Sequence, residues 1–466
     1  MIVRDPASFR DPSGHIYHLD GRVLRTISGA AAVHYEYVRD AGLLQRWMDR
    51  RWLVDTRELT PAEWPPVETM VAGGHDVRHL IEHAPIRYVS HPYEWAFGAL
   101  KAAALLHLDL QLDALGHGVQ FSDSSAYNVQ FDGPRAVFID LLSFRRYQEG
   151  DYWIGHRQFT EQFLNPLLLR ALLGVPANAW LRGSLEGIPA AELNALLPAL
   201  RKISLNVLSH VTLPARAALG SAGSRQPARQ PGPLPRRSYA GMLTQLRTWI
   251  ARLAPAGQAH TTWSDYDVTH TYSAVEHEHK RRIVAEFVAR TRPAMLWDLG
   301  CNTGEYSELA LSSGATDVVG FEADHGALDQ AFARAADKQL RFLPLFMDAA
   351  NPSPDQGWAQ QERRGLSARR TADAVLALAF THHLAIGRNV PLDDVLAWLV
   401  SLAPTGLVEF VPKDDPTVRL MLTSREDIFH DYSEENFSAA LGRCARIDAA
   451  ETISTSGRRL FSYVRS

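Results

Sequence analysis

The feature that most restricts the architecture is an alternation in the back half of the chain. Five short apolar runs, "AMLWDLG" (294–300), "DVVGFEA" (317–323), "RFLPLFMDA" (341–349), "ADAVLALAF" (372–380) and "GLVEFVP" (406–412), are separated by helix-like segments such as "HGALDQAFARAADK" and "LDDVLAWLVSLA". Continuous apolar runs suit strands buried on both faces, and a βαβα order lays helices over both faces of a parallel sheet. Residues 239–466 are therefore expected to form a Rossmann-like α/β domain whose ligand lies at the carboxyl ends of the strands.

Ahead of this region, "TLPARAALGSAGSRQPARQPGPLPRRS" (212–238) carries Pro, Gly, Ser and Arg without apolar periodicity, a composition that cannot build a core and reads as a linker. It lies in a stretch between Glu192 and Asp265 that holds nine Lys and Arg residues and no carboxylate. A solvated basic segment explains this, so nucleic acid is not an expected partner. The front half, 1–211, begins with "GHIYHLDGRVLRTI", a hairpin signal around Asp20-Gly21. "HYEYVRDAGLLQRWMDR" reads as a helix, "VRHLIEHAPI" as a strand and 94–115 as a long helix. Two strands follow around a second Asp-Gly turn, and then all-helical sequence. A small β lobe (about 1–90) and a helical lobe (about 91–211) are expected.

The most apolar helix-like run, "GALKAAALLHLDLQLDALG", contains Lys101, His107, Asp109 and Asp113, so it suits a core helix and no membrane span. The chain opens "MIVRDPASFR", without a basic-then-apolar signal. Its two cysteines, Cys301 and Cys444, give neither a disulfide framework nor zinc spacing, which suits a reducing cytoplasm. No metal site is expected. His277 and His279, two apart on a helix, point away from each other.

The first apolar run ends in "LWDLGCNTGEYSELA" (296–310), a strand, a tight glycine loop and a helix. A phosphate loop would close on Gly-Lys-Ser/Thr; here Gly304-Glu305-Tyr306 puts a carboxylate where a phosphate would sit. A dinucleotide fingerprint would need G-x-G-x-x-G, and the spacing is Gly300-x-x-x-Gly304. What remains resembles motif I, D-x-G-x-x-x-G, of the class I S-adenosylmethionine-dependent methyltransferases. The resemblance implies S-adenosyl-L-methionine as cofactor, with Asp298 facing its cationic end and the loop residues Gly300, Cys301, Asn302 and Gly304 close to it. Glu322, closing the second strand, would accept from the ribose hydroxyls. Asp348, closing the third, would meet the adenine amine, and Phe380, closing the fourth, completes the set. Trp263, Tyr266 and Tyr272 precede the first strand and suit either a pocket wall or a core.

Methyl transfer asks the protein to align an acceptor and, for a hydroxyl acceptor, to take up a proton. Candidate bases are His382 and His383 after the fourth strand and Glu409 on the fifth; of two adjacent histidines, one is expected to face the site and the other to pack. Longer segments, including "HPYEWAF", "AYNVQF", "VFIDLLSF" and "VEFVPKDDPTV", resemble a bacterial group related to the host-specificity nodulation methyltransferases, which implies a small-molecule or saccharide acceptor.

In the front half, "SDSSAYN" sets Asp123 five residues before Asn128, and Asp140 follows in "VFID". This resembles the catalytic and metal loops of protein kinases and aminoglycoside phosphotransferases, and implies an α+β kinase-like two-lobed domain with a nucleotide as its ligand. The sequence departs from that pattern: no strand lysine precedes Asp123, Lys101 lies in the long helix, and "LDGRV" is not a glycine-rich cover. Arg25 could replace a lysine in charge though not in geometry. The expected function is a methyltransferase whose kinase-like domain is an inactive, substrate-holding scaffold. The alternatives are a bifunctional kinase and methyltransferase, and a non-catalytic ligand-sensing module.

Overall fold

The structure is a computed structural model that describes residues 2–65, 76–222, 232–257, 272–369, 371–423 and 425–465; the side chains of 218–222 are not described. The chain divides into two compact units, 1–257 with 356–363, and 258–355 with 364–466.

In the first unit, strands β1 (Ile2–Arg4), β2 (Ile16–Leu19), β3 (Arg22–Ser28), β4 (Thr56–Glu58) and β5 (Val77–His83) form an antiparallel sheet in the order β1-β2-β3-β5-β4. The β2–β3 hairpin turns on Asp20 and Gly21, at φ 48° and 81°, the left-handed pair that a tight two-residue turn requires. Leu24, Leu80, Tyr17 and Leu59 bury one face. The single helix expected after β3 is two, Gly29–Asp40 and Leu43–Asp49, parted by Gly42 at φ 70°. The long helix Phe97–Gly116 is buried along much of its length, as a core helix should be. Around it stand two small antiparallel pairs, β6 (Val119–Phe121) with β9 (Phe144–Arg146), and β7 (Val129–Asp132) with β8 (Arg135–Phe138).

The expected linker is largely helical where it is described. Leu213–Ala222 continues a helical run, and Arg236–Arg252 is a helix grouped with the first unit. The expected boundary at 238/239 thus falls inside a helix, and the division lies after Gly257. The cause is an apolar stripe, Tyr239, Leu243, Leu246 and Ile250, all buried. Tyr239 accepts a 2.7 Å hydrogen bond from Gln111 of the long helix, and Arg247 pairs with Asp109.

The second unit holds a seven-stranded sheet: β10 (Met295–Leu299), β11 (Asp317–Glu322), β12 (Phe342–Phe346), β13 (Ala374–Ala377), β14 (Thr405–Phe410), β15 (Ala445–Thr452) and β16 (Arg459–Arg465), in the order β12-β11-β10-β13-β14-β16-β15. The first five are parallel, in the five apolar runs expected from the sequence; β16 runs antiparallel beside β14, and β15 antiparallel beside β16. Strand order reverses direction between β10 and β13, where an open parallel sheet leaves a crevice at its carboxyl end. The helix Ala274–Thr291 leads into β10, with a capping box between Ser273 and Glu276. No helix among the described residues is long and apolar enough to cross a membrane.

Candidate functional site

A cavity of about 490 Å3 opens at the carboxyl ends of β10 to β13, lined among others by Asp298, Gly300, Cys301, Asn302, Glu322, Asp348 and Phe380. Seven of the eight residues expected to meet a cofactor thus share one wall. The eighth, Gly304, stands behind the loop: its φ is 83°, and a Cβ there would come within 2.5 Å of the Phe342 ring. Its glycine answers to packing. Gly300, at φ 73°, faces the cavity, with the Phe380 ring 3.1 Å from where a Cβ would stand. Both positions need the left-handed backbone that glycine adopts freely.

Asp298, next to last in β10, is almost fully buried and accepts a 2.7 Å hydrogen bond from the Ser307 hydroxyl. Burial raises its carboxyl to about 6, against the pull of Ser307 and the Lys280 ammonium. Glu322 ends β11 and accepts from three backbone N–H groups: Asn302 at 2.9 Å, Ala323 at 2.8 Å and Asp324 at 2.8 Å. It ties the glycine loop to the next strand, and burial lifts its carboxyl above the ordinary value despite those donors. Asp348 follows β12, where Oδ1 accepts from Ala350 N and Oδ2 lies 3.3 Å from Arg388. Cys301 is buried and its thiol pushed well up, chiefly by burial, which favours the protonated thiol.

The three candidate bases separate. His383 lines the cavity, and burial followed by Arg458 lowers its imidazole to about 4. His382 does not line it: the ring is buried, neither nitrogen has a partner among the described residues, and burial holds its pKa well below the ordinary value. Glu409 does not line the cavity either. It is completely buried and accepts from Lys280 at 2.7 Å, from the Ala379 amide at 2.9 Å and from the Tyr272 hydroxyl. Burial, which would raise its carboxyl, is outweighed by Lys280 and Arg458, and it lies below the ordinary range. So placed, Glu409 is an anchor for cations.

Several site residues escape a reading of spacing alone. Lys280, buried, lines the cavity with its ammonium over the rings of Tyr272 and Tyr306 at 4.9 and 5.1 Å. Arg458, fully buried, bonds Asp415 through Nε at 2.7 Å and donates to Tyr272 at 3.1 Å. Tyr272 does line the cavity, whereas Trp263 and Tyr266 lie outside the described residues.

In the first unit Asp123, Asn128 and Asp140 come together. Asn128 Nδ2 donates to Asp123 Oδ2 at 3.1 Å and to the Ser143 hydroxyl, which in turn donates to Asp140. Asp123 is raised by burial and by the charge of Asp140. Arg25, buried on β3, sets one guanidinium nitrogen 2.6 Å from Asp140 and another 2.6 Å from Asp11. Burial pushes the Asp140 carboxyl up, but Arg25 and Ser143 bring it below its ordinary value. Among the described residues no group of three or more His, Cys, Asp or Glu is placed to hold a metal ion.

No family model matches the chain. Similar solved structures include the PH0226 protein from Pyrococcus horikoshii OT3, 17% identical over 43% of this chain and 98% of that one with a TM-score of 0.32. Magnesium protoporphyrin IX methyltransferase (ChlM) from Synechocystis PCC 6803 with bound SAH is 19% identical over 48% of this chain and 95% of that one, with a TM-score of 0.31. Nodulation protein NoeA from Rhizobium meliloti (strain 1021) is 45% identical over 473 residues, covering 99% of this chain and 96% of that protein. With that identity running through nearly the whole of both proteins, the chain belongs to the family of nodulation protein NoeA.

Proposed function

We propose that the second unit is an S-adenosyl-L-methionine-dependent methyltransferase acting on a small-molecule or saccharide acceptor. One observation carries this reading: four adjacent parallel strands deliver Asp298, Glu322, Asp348 and Phe380 to a single cavity beside a left-handed glycine loop. The donor set suits the cofactor. Asp298 offers a buried negative group to the cationic end, Glu322 an oriented carboxylate to a diol, and Gly300 leaves room where a Cβ would press on Phe380.

The cofactor supplies a methyl group already activated by its sulfonium charge, so the protein's task is alignment and, for some acceptors, proton removal. His383, neutral near pH 7, is the one member of the histidine pair with access to the cavity. It orients an acceptor through a ring nitrogen and takes a hydroxyl proton where the acceptor is an alcohol. His382 packs behind it, their ring centroids 4.1 Å apart. The test is transfer of a labelled methyl group by the full-length protein to fractionated small molecules and oligosaccharides. Label in a glycan or metabolite fraction supports the reading, and cofactor binding without transfer to any fraction would favour a ligand-sensing module.

We infer further that the first unit is a kinase-like scaffold that holds the acceptor. The support is Arg25, whose guanidinium meets Asp140, the carboxylate that the kinase resemblance assigns to magnesium. The bifunctional alternative draws on the Asp123–Asn128 contact, which an active phosphotransferase would also need. Purified protein with magnesium and ATP should transfer no phosphate. ATP-dependent phosphorylation that Asp123→Asn abolishes would replace the scaffold with the bifunctional reading.

A further inference from the structure

We propose that Lys280 holds the carboxylate of the cofactor's amino-acid end, and so makes the site selective for ligands that carry that end intact. The inference rests on the methyl-donor reading above and names a residue which that reading leaves unused.

The first support is charge. Asp298, Glu305, Glu322, Asp324 and Asp348 all line the cavity, so its wall is strongly acidic. Such a wall suits a sulfonium and an ammonium, but it repels the carboxylate that S-adenosylmethionine and S-adenosylhomocysteine both carry. A cation must offset that repulsion. Of the basic side chains on the wall, Arg388 is 59% exposed and engaged with Asp348, whereas the Lys280 side chain is only 4% exposed. A cation screened from water interacts far more strongly with a ligand charge than one at the rim.

The second support is how Lys280 is held. Its ammonium donates to Glu409 at 2.7 Å and to the Tyr272 hydroxyl at 3.4 Å, and lies over the rings of Tyr272 and Tyr306. An ammonium has three N–H donors, and among the described residues these two contacts account for two of them. Behind it the charges balance: Glu409 faces Lys280 and Arg458, and Arg458 faces Asp415 through two of its nitrogens. Lys280 is thus held by several contacts before any ligand arrives, and a preorganised charge contributes more to affinity than one that must be ordered on binding.

The third support is Asp298, which lines the same cavity as Lys280. An anion and a cation on one cavity wall match the two ends of an amino-acid zwitterion: its ammonium toward Asp298, its carboxylate toward Lys280. A ligand lacking that end, such as 5′-methylthioadenosine, would keep the contacts of Glu322 and Asp348 and lose this pair.

Calorimetry on the full-length protein tests this with three probes: S-adenosylhomocysteine, 5′-methylthioadenosine and S-adenosyl-3-thiopropylamine, the decarboxylated form of S-adenosylhomocysteine. Wild type should bind S-adenosylhomocysteine at least tenfold more tightly than either of the others. Lys280→Met should weaken S-adenosylhomocysteine about 10–100-fold and leave 5′-methylthioadenosine within twofold of wild type, a retained affinity that also reports an intact fold. Lys280→Arg should recover part of the loss. Equal weakening of both ligands by Lys280→Met would reduce Lys280 to a structural role and overturn the proposal. Equal affinity of wild type for the decarboxylated and intact ligands would overturn it without any variant. Wild type binding none of the three would overturn the methyl-donor reading itself, and the Lys280 assignment with it.

Discussion

The Lys280 ammonium and the Glu409 carboxylate meet at 2.7 Å, the carboxylate fully buried and the lysine side chain 4% exposed at the cavity wall. Removing one member of such a pair strands the other charge in a low-dielectric interior, at a cost of about 3–5 kcal/mol. Glu409→Gln should therefore lower the unfolding free energy by a few kcal/mol, read from denaturant midpoints. Because the folded carboxyl lies below its ordinary value, its stabilisation is complete above the normal carboxylate range and is lost as pH falls below it. The variant should show less acid destabilisation than wild type. A full-strength fold with turnover reduced about 10³-fold would instead make Glu409 a base.

The two histidines should part in their effects. His383→Asn should lower methyl transfer about 10–10²-fold with cofactor affinity near wild type, since His383 alone of the pair reaches the cavity. His382→Leu should leave turnover within a few-fold and act on stability. Equal effects on turnover would contradict this division.

Gly300 and Gly304 should also separate. In Gly304→Ala the added Cβ meets the Phe342 ring at 2.5 Å in a left-handed backbone, so stability should fall by about 1–3 kcal/mol. Gly300→Ala, whose contact with Phe380 is looser and lies at the cavity, should cost more in cofactor affinity than in stability. Thermal melts with and without S-adenosylhomocysteine distinguish them.

In the first unit His107 is fully buried among Phe121, Phe138, Phe159 and Phe163, neither ring nitrogen having a partner among the described residues. Burial lowers its pKa to about 3. The folded state thus refuses a proton that the unfolded chain accepts. Its contribution is intact above the ordinary histidine range and is lost as pH falls from there toward about 3, by up to about 1.4 kcal/mol per pH unit. His107→Leu should flatten that slope in denaturant midpoints between pH 6 and 4. An unchanged slope would show that the ring takes up its proton in the folded state.

The parallel strands were legible because each is a continuous apolar run, and the shared cavity wall of Asp298, Glu322 and Asp348 because an acid closes three of those runs. β15 and β16 were not. "ARIDAAET" is an edge strand exposed along much of its length, without the apolar continuity of its neighbours. The helix Arg236–Arg252 was obscured by the charges between its four buried residues. Glu409 stands out in sequence as an acid on a buried strand, but its role depends on Tyr272 and Arg458, 186 residues apart, meeting beside it. Lys280 lies in "HEHKRR", a run that reads as a solvated helix face until the fold turns that lysine inward.

Titration of the full-length protein with S-adenosylhomocysteine across pH tests the site most directly. Saturable one-to-one binding should be weakened at least tenfold by Asp298→Ala and by Glu322→Ala, each a charged hydrogen-bond partner worth about 1.5–3 kcal/mol. Because the Asp298 carboxyl titrates at about 6, wild-type affinity should fall as pH drops through that value, and the fall should be absent in Asp298→Asn. An absence of saturable binding, or binding indifferent to both alanine variants and to pH, would contradict the assignment of this cavity to the methyl donor.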